Sequence, residues 1–218
     1  MPVASIPLDI FSDPVCPWCY IGKTNLYRAM ESRPDHPFHI EWHPYQLHPN
    51  LPAHGMNRAE WFEARFGDQE KAVEIAAAAQ KAADEAGLDV DMGAAQRMPN
   101  TIEAHRLIHW AGLQGVQTPV VDALFRAYFR DGQDIGDHAV LIRIAGAAGM
   151  DPDAAARLLA TDADRDDLIA RDRDARSKGV QAVPTFLIDR QYVLAGAQSV
   201  EMWQKIIDDI TTELGEAE

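Results

Sequence analysis

The stretch IFSDPVCPWCYIGK, residues 10–23, decides how this chain is read. Residues 5–11 (SIPLDIF) form a short apolar run suited to a buried strand. Ser12, Asp13 and Pro14 then turn the chain. Val15-Cys16-Pro17-Trp18-Cys19 leads into a segment whose apolar residues Tyr20, Ile21, Leu26, Tyr27 and Met30 make a helical stripe. Pro17 fits the first helical turn, where its missing N–H costs nothing. The two cysteines, the only ones in the chain, therefore fall where a strand runs into a helix N-terminus.

Cysteines at i and i+3 in a first helical turn have sulfurs close enough to join. The reactive form is the thiolate, which unpaired N–H groups and the helix dipole stabilise at that end. Cys16, nearer the helix start, is expected to be the more exposed and to attack a substrate disulfide. Cys19 would then attack Cys16 and release the reduced substrate. A structural staple is a poor alternative, because so short a loop barely restrains the unfolded chain. A closed zinc site usually takes four ligands. His36, His39, His43, His48 and His54 offer no compact set beside the pair, although a metal shared between two subunits stays open. Inert burial suits a Pro-Trp insert at a helix start badly.

Composition bounds the rest. The chain has 218 residues, 47% of them hydrophobic and 25% charged, and a formal charge of 20 − 34 = −14. That length buries a core without a disulfide framework. The acidity disfavours nucleic acid, whose phosphates would repel it, and anionic membrane surfaces likewise. No run approaches the ~20 apolar residues of a membrane span. The opening MPVASIPLDIF lacks a basic region and a clean apolar region, so the reading is no signal peptide and a cytoplasmic address. Cysteines there are normally reduced, which favours catalysis over stapling.

Outward from the motif, residues 37–47 alternate as a second strand, with Phe38, Ile40 and Trp42 on one face. Residues 48–56 read as a connection. A helical block follows, with starts at Asn57, Thr101, Thr118, Asp137 and Asp151, and an Ala-rich run from 68 to 86 ended by Gly87. Trp61, Phe62, Phe66, Trp110, Phe125, Tyr128 and Phe129 stand at helical spacings and read as core or groove lining. Residues 162–178 are a charged helix whose charges read as a solvated face. Strands return at 183–188 and 192–195 as a hairpin, and Ser199 caps a last helix to about Leu214. The order β-α-β, helical block, α-β-β-α implies an α/β domain, residues 1–50 and 160–218, with an all-helical insertion at 51–159.

DPVCPWCYIGK, the helical PNTIEAHRL, GVQAVPTFLID and AGAQSVEMW together resemble the DsbA-like thioredoxin-fold oxidoreductases, in their FrnE-like branch. The resemblance covers essentially the whole chain. It implies a thioredoxin-like fold with the helices inserted between the second strand and the later hairpin. It also implies Cys16 as nucleophile, Cys19 as resolving thiol, and a cis Val183–Pro184 bond beside them. Pro184 offers no N–H, and the Val183 backbone could pair with an extended substrate as an added strand. Pro17 and Trp18 would offer substrate an apolar surface. Met98 and Asn100, in the loop before the helix carrying His105, would line a groove. His105 could donate or accept a proton near the thiols, or simply pack.

Two departures matter. Thioredoxin-like proteins often carry a buried acid six residues before the nucleophile, and here that residue is Ile10. Asp9 and Asp13 are nearby, and the proton route for Cys19 is open. Strongly oxidising DsbA proteins place His between the cysteines. Trp18 brings no charge, so a milder oxidant is expected. The function that follows is a thiol–disulfide oxidoreductase, with disulfide isomerase activity open, acting on protein or small-molecule thiols. It needs no metal or organic cofactor, admits glutathione as co-substrate, relies on an external thiol recycling system, and leaves a homodimer open. The rivals are a glutathione-dependent isomerase or transferase related to 2-hydroxychromene-2-carboxylate isomerase, and a thiol-independent binding module or chaperone.

Overall fold

A computed structural model of the chain describes residues 5–67 and 69–216. Strand β1 (Ile6–Ser12) runs into helix α1 (Pro17–Glu31), which returns the chain to β2 (Phe38–Pro44). β2 pairs parallel to β1, the arrangement that a helical crossover permits. Much later β5 (Thr185–Ile188) joins the other side of β1, antiparallel, and β6 (Tyr192–Ala195) closes a hairpin on it. The sheet order is β2-β1-β5-β6. Helix α9 (Val200–Glu216) ends the fold, and Ser199 Oγ accepts from Met202 N at 3.2 Å as its cap.

The alternation of β1 fixes its faces. Leu8, Ile10 and Ser12 are buried, and the register sets Ile10 beside Trp42 on one side and Phe186 on the other. α1 and α9 pack side by side over that face. Trp203 of α9, wholly buried, meets Phe38 and Phe186 edge-on at 6.3 and 4.8 Å between centroids. Edge-to-face contact suits the ring quadrupoles.

Between β2 and β5 lie α2 (Arg58–Phe66), α3 (Gln69–Glu85), α4 (Ile102–Leu113), α5 (Gln117–Phe129), α6 (His138–Ala147), α7 (Pro152–Leu159) and α8 (Arg165–Ser177). Two-residue strands β3 (Met56–Asn57) and β4 (Arg97–Met98) pair within this block. Asn57, Asp137 and Asp151 cap α2, α6 and α7 through their side chains, as their residue types demand. Trp110, Phe125, Tyr128 and Phe129 are core; Trp61, Phe62 and Phe66 are half-buried, the two phenylalanines stacked and Trp61 edge-on to both.

Two expectations change. α5 begins at Gln117 instead of behind a Thr118 cap. The Gln117 side chain is spent on the edge strand, accepting from Trp42 N at 2.9 Å and donating to Trp42 O at 3.1 Å. The charged helix α8 is not merely a solvated face. Its Asp172 is buried and accepts from Gln46 N at 2.9 Å, while Arg176 donates to both Asp172 oxygens and to the Tyr45 hydroxyl. A buried carboxylate needs such partners, and these two residues pin the chain just after β2. Among the described residues, no helix is long and apolar enough to cross a membrane.

Candidate active site

The end of β1 builds the site. After Ser12 the chain turns, with Cys16 N donating to Asp13 O at 2.9 Å, and Cys16 becomes the N-cap residue of α1. Its carbonyl takes the first helical hydrogen bonds, from Cys19 N at 3.1 Å and Tyr20 N at 3.3 Å. Pro17 opens the helix, and no acidic side chain stands in the first turn to compete for its positive end. Both cysteines are free thiols.

The peptide bond Val183–Pro184 is cis. The Cys16 thiol faces it, its Sγ 3.6 Å from Val183 O as donor. The Pro184 carbonyl accepts from Gly196 N at 2.8 Å, which ties this turn to the end of β6. α1 can lie this close because residue 22 is glycine. A Cβ there would sit 3.1 Å from Pro184 Cγ and 3.3 Å from Ala197 Cα.

Exposure differs from expectation at Cys16. It is 3% exposed, close to the 1% of Cys19, with its thiol against the Val183 carbonyl. Trp18, at 43%, is the exposed member of the motif, and Pro17 is half-buried beside it. Burial pushes the Cys19 thiol well above its ordinary range, and its hydrogen bond with Cys16 adds to that. The Asp13 backbone N–H and the Ser12 hydroxyl face the same sulfur and favour its anion.

The other predicted residues separate into two groups. His105 comes to the site, on the first turn of α4, with Nε2 3.8 Å from Asp13 Oδ1. Met98 is buried in β4, where the Tyr128 hydroxyl lies 3.8 Å from its sulfur. Asn100 is spent on structure, donating to Leu51 O and accepting from Gln46 Nε2, each at 2.8 Å. Sequence reasoning left Asp13 open. Its signal was weak, since a Ser-Asp-Pro turn ordinarily faces water, yet Asp13 is completely buried.

Among the described residues, the side chains arranged to share a cation are Asp9, Glu41 and His43 on the sheet's other face. This group includes neither cysteine. His43 Nε2 already pairs with Asp9 Oδ1 at 2.9 Å, and Arg171 stands 3.4 Å from His43 Nδ1 and 4.0 Å from Glu41 Oε1.

A parallel-antiparallel sheet with a CxxC pair at the first helix start, faced by a cis-proline, defines a thioredoxin-fold protein of the thiol oxidoreductase class. Residues 7–208 match the DSBA-like thioredoxin domain, and the chain belongs to that family. It is 25% identical over 206 residues to the Bacillus subtilis (strain 168) protein YwbO, covering 94% of this chain and 97% of that one. The probable DsbA oxidoreductase SCO1869 from Streptomyces coelicolor is similar at 28% identity, with TM-score 0.85 and coverage of 95% and 91%. Two less similar structures share the fold. A 2-hydroxychromene-2-carboxylate isomerase has 15% identity and TM-score 0.72 over 97% and 99% of the chains. The cytosolic disulfide reductase DsbM from Pseudomonas aeruginosa with GSH has 17% identity and TM-score 0.67 over 94% and 99%.

Proposed function

We propose that this protein is a dithiol oxidoreductase that exchanges electrons between Cys16–Cys19 and the thiols or disulfides of a protein or small-molecule substrate. The observation that carries this reading is the Cys16 thiol held against Val183 O, with Cys19 one turn behind it in the same helix. In the reducing direction the Cys16 thiolate attacks a substrate disulfide and forms a mixed disulfide. Cys19 loses its proton and attacks Cys16 Sγ, the bond to substrate breaks, and the substrate leaves as a thiol. The protein dithiol is oxidised by two electrons and the substrate disulfide is reduced by two. The reverse sequence oxidises a dithiol, and attack by Cys16 followed by its displacement from the mixed disulfide by a different substrate thiol isomerises a disulfide.

Trp18 gives substrate an apolar platform beside Cys16, and the Val183 backbone offers strand-like hydrogen bonds. Glutathione is a fitting co-substrate or recycling thiol, since DsbM, of the same fold, is described with GSH and as cytosolic. The proposed address is the cytoplasm. The pair carries the electrons, so the chemistry asks for no metal or organic cofactor.

The likeness to 2-hydroxychromene-2-carboxylate isomerase favours a second reading, a glutathione-dependent isomerase. Cys19→Ser separates the two. The oxidoreductase reading expects loss of insulin-reducing turnover and accumulation of mixed disulfide on Cys16. Unchanged turnover of a glutathione-linked substrate by that variant would support the isomerase. Equal insulin reduction by wild type and Cys16→Ser would leave only a binding module or chaperone.

A further inference from the structure

Strand β2 is an outer strand of the sheet, and its free edge is only partly used. It pairs with β1 in the register Leu8↔Ile40 and Ile10↔Trp42, and Ile6 N donates to Pro37 O at 2.8 Å. Along a strand, alternate residues turn both backbone groups to the same neighbour. Residues 39, 41 and 43 therefore face β1, and 38, 40 and 42 face away from it. The Trp42 N–H and carbonyl meet the Gln117 side-chain amide, which stands in for a neighbouring strand. The Phe38 N–H meets His36 Nδ1 at 3.3 Å. Among the described residues, nothing pairs with the Ile40 N–H or carbonyl.

A cavity of about 430 Å³ opens on this edge, between β2, α4, α5 and α8, and neither cysteine lines it. Ile108, Leu113 and Leu168 give it apolar walls, and Leu113 is left 75% exposed. Such a volume, apolar with a few placed polar groups, is that of a small-ligand site.

The cation in its wall is Arg171 of α8. Its guanidinium carries five N–H donors. Nη1 lies 3.3 Å from His109 Nδ1 and Nη2 3.4 Å from His43 Nδ1, both longer than an ordinary hydrogen bond. A guanidinium only donates, so both imidazoles accept there and are neutral. The nearest carboxylate oxygen, Glu41 Oε1, is 4.0 Å away on an exposed side chain. Asp9 is engaged by His43 Nε2. Arg176, further along the same helix, instead holds Asp172 at 3.0 Å. Arg171 thus keeps donors for a carboxylate, which a guanidinium binds through two parallel N–H bonds.

We propose that this cavity binds an N-acylated apolar amino acid, free or as the last residue of a peptide. Its amide N–H donates to the Ile40 carbonyl, and the Ile40 N–H donates to one carboxylate oxygen, the exchange of an antiparallel pair. Arg171 donates to the carboxylate, and the apolar side chain lies against Ile108 and Leu168. Gln117 fills the next position along the edge, so the ladder takes one ligand residue. Glu41 competes for Arg171.

Titration of the intact protein with N-acetyl-L-leucine, followed by the backbone amide resonances, tests this. The Ile40 amide should shift and saturate, with a dissociation constant of about 1 mM or tighter. N-acetyl-leucinamide, which lacks the carboxylate, and 4-methylpentanoate, which lacks the amide, should each bind at least about 10-fold more weakly. Arg171→Gln should weaken N-acetyl-leucine about 10-fold to 100-fold. Glu41→Gln, at an exposed position, should tighten it about 3-fold, and it keeps the proposal testable should Arg171→Gln not fold. An octapeptide ending in leucine separates the sources: binding equal to or tighter than N-acetyl-leucine assigns the site to peptide ends, and failure to bind assigns it to the free acylated amino acid. No saturating shift at Ile40 with N-acetyl-leucine, equal binding of the leucinamide, or an affinity that neither variant changes would overturn the proposal.

Discussion

At the residue scale, burial decides what each polar group can do. Asp13 held at about 7 against an ordinary 3.8 binds its proton more tightly folded than unfolded. Its contribution is therefore greatest at low pH and is lost as pH rises from about 4 to 7. His105, lowered to about 4 from 6.5, has the opposite sign and gains stability over pH 4 to 6.5. The two slopes offset in wild type, because folded and unfolded chains each hold one proton on this pair. Asp13→Asn removes one side of the balance. Relative to wild type, its stability in urea melts should improve on going from pH 4 to pH 8, by at most about 4 kcal/mol. A pH-independent difference would contradict a raised Asp13.

The same pair shows where sequence reading stops. The cysteines, the turn before them and Pro17 are local features, and residues 10–23 display them in order. Asp13 and His105 belong to different elements, 92 positions apart, and look like an exposed turn residue and a helix histidine. Only the docking of α4 and of residues 45–47 over the turn removes water from both. Met98 and Asn100 err the other way: a loop before a helix suggests a groove, but Met98 fills core and Asn100 ties loops together.

At the element scale, α1 is located by what its glycine lacks. Gly22→Ala adds a methyl 3.1 Å from Pro184 Cγ. The helix gains about 1 kcal/mol from alanine, and crowding costs about 1–3 kcal/mol. The expected net is a loss of about 1 kcal/mol together with slower insulin reduction, as Cys16 and Val183 move apart. A variant more stable and equally active would contradict that packing. α8 offers a second case. Arg176→Met strands buried Asp172 without its cation, which should cost about 2–3 kcal/mol in urea melts. Adding Asp172→Asn should restore part of that loss, and a strictly additive double variant would show that the two do not interact. Helix caps at Asn57, Asp137 and Asp151 were legible because their chemistry is local. The burial of Asp172 was not, because on its own helix it is one acid in a charged run.

At the scale of the whole molecule, the sheet and the helical block meet at one small site. β1 and β5 bring Cys16 to Val183 across 167 positions of sequence. The helices between supply the cover that dries Cys19, Asp13 and His105. With no third cysteine in the chain, the proposed dithiol reaction has only Cys19 to resolve a mixed disulfide on Cys16. The direction of electron flow then depends on the potential of this pair against its surroundings. The central claim is that Cys16 and Cys19 form a reversible redox couple. Equilibration with glutathione buffers, read by the mass of thiol-alkylated protein, tests it most directly. The account predicts a single reversible two-electron transition between the dithiol and a Cys16–Cys19 disulfide, more reducing than about −120 mV, the strongly oxidising end of such pairs. Failure of that disulfide to form, or glutathione left permanently on Cys16, would contradict it.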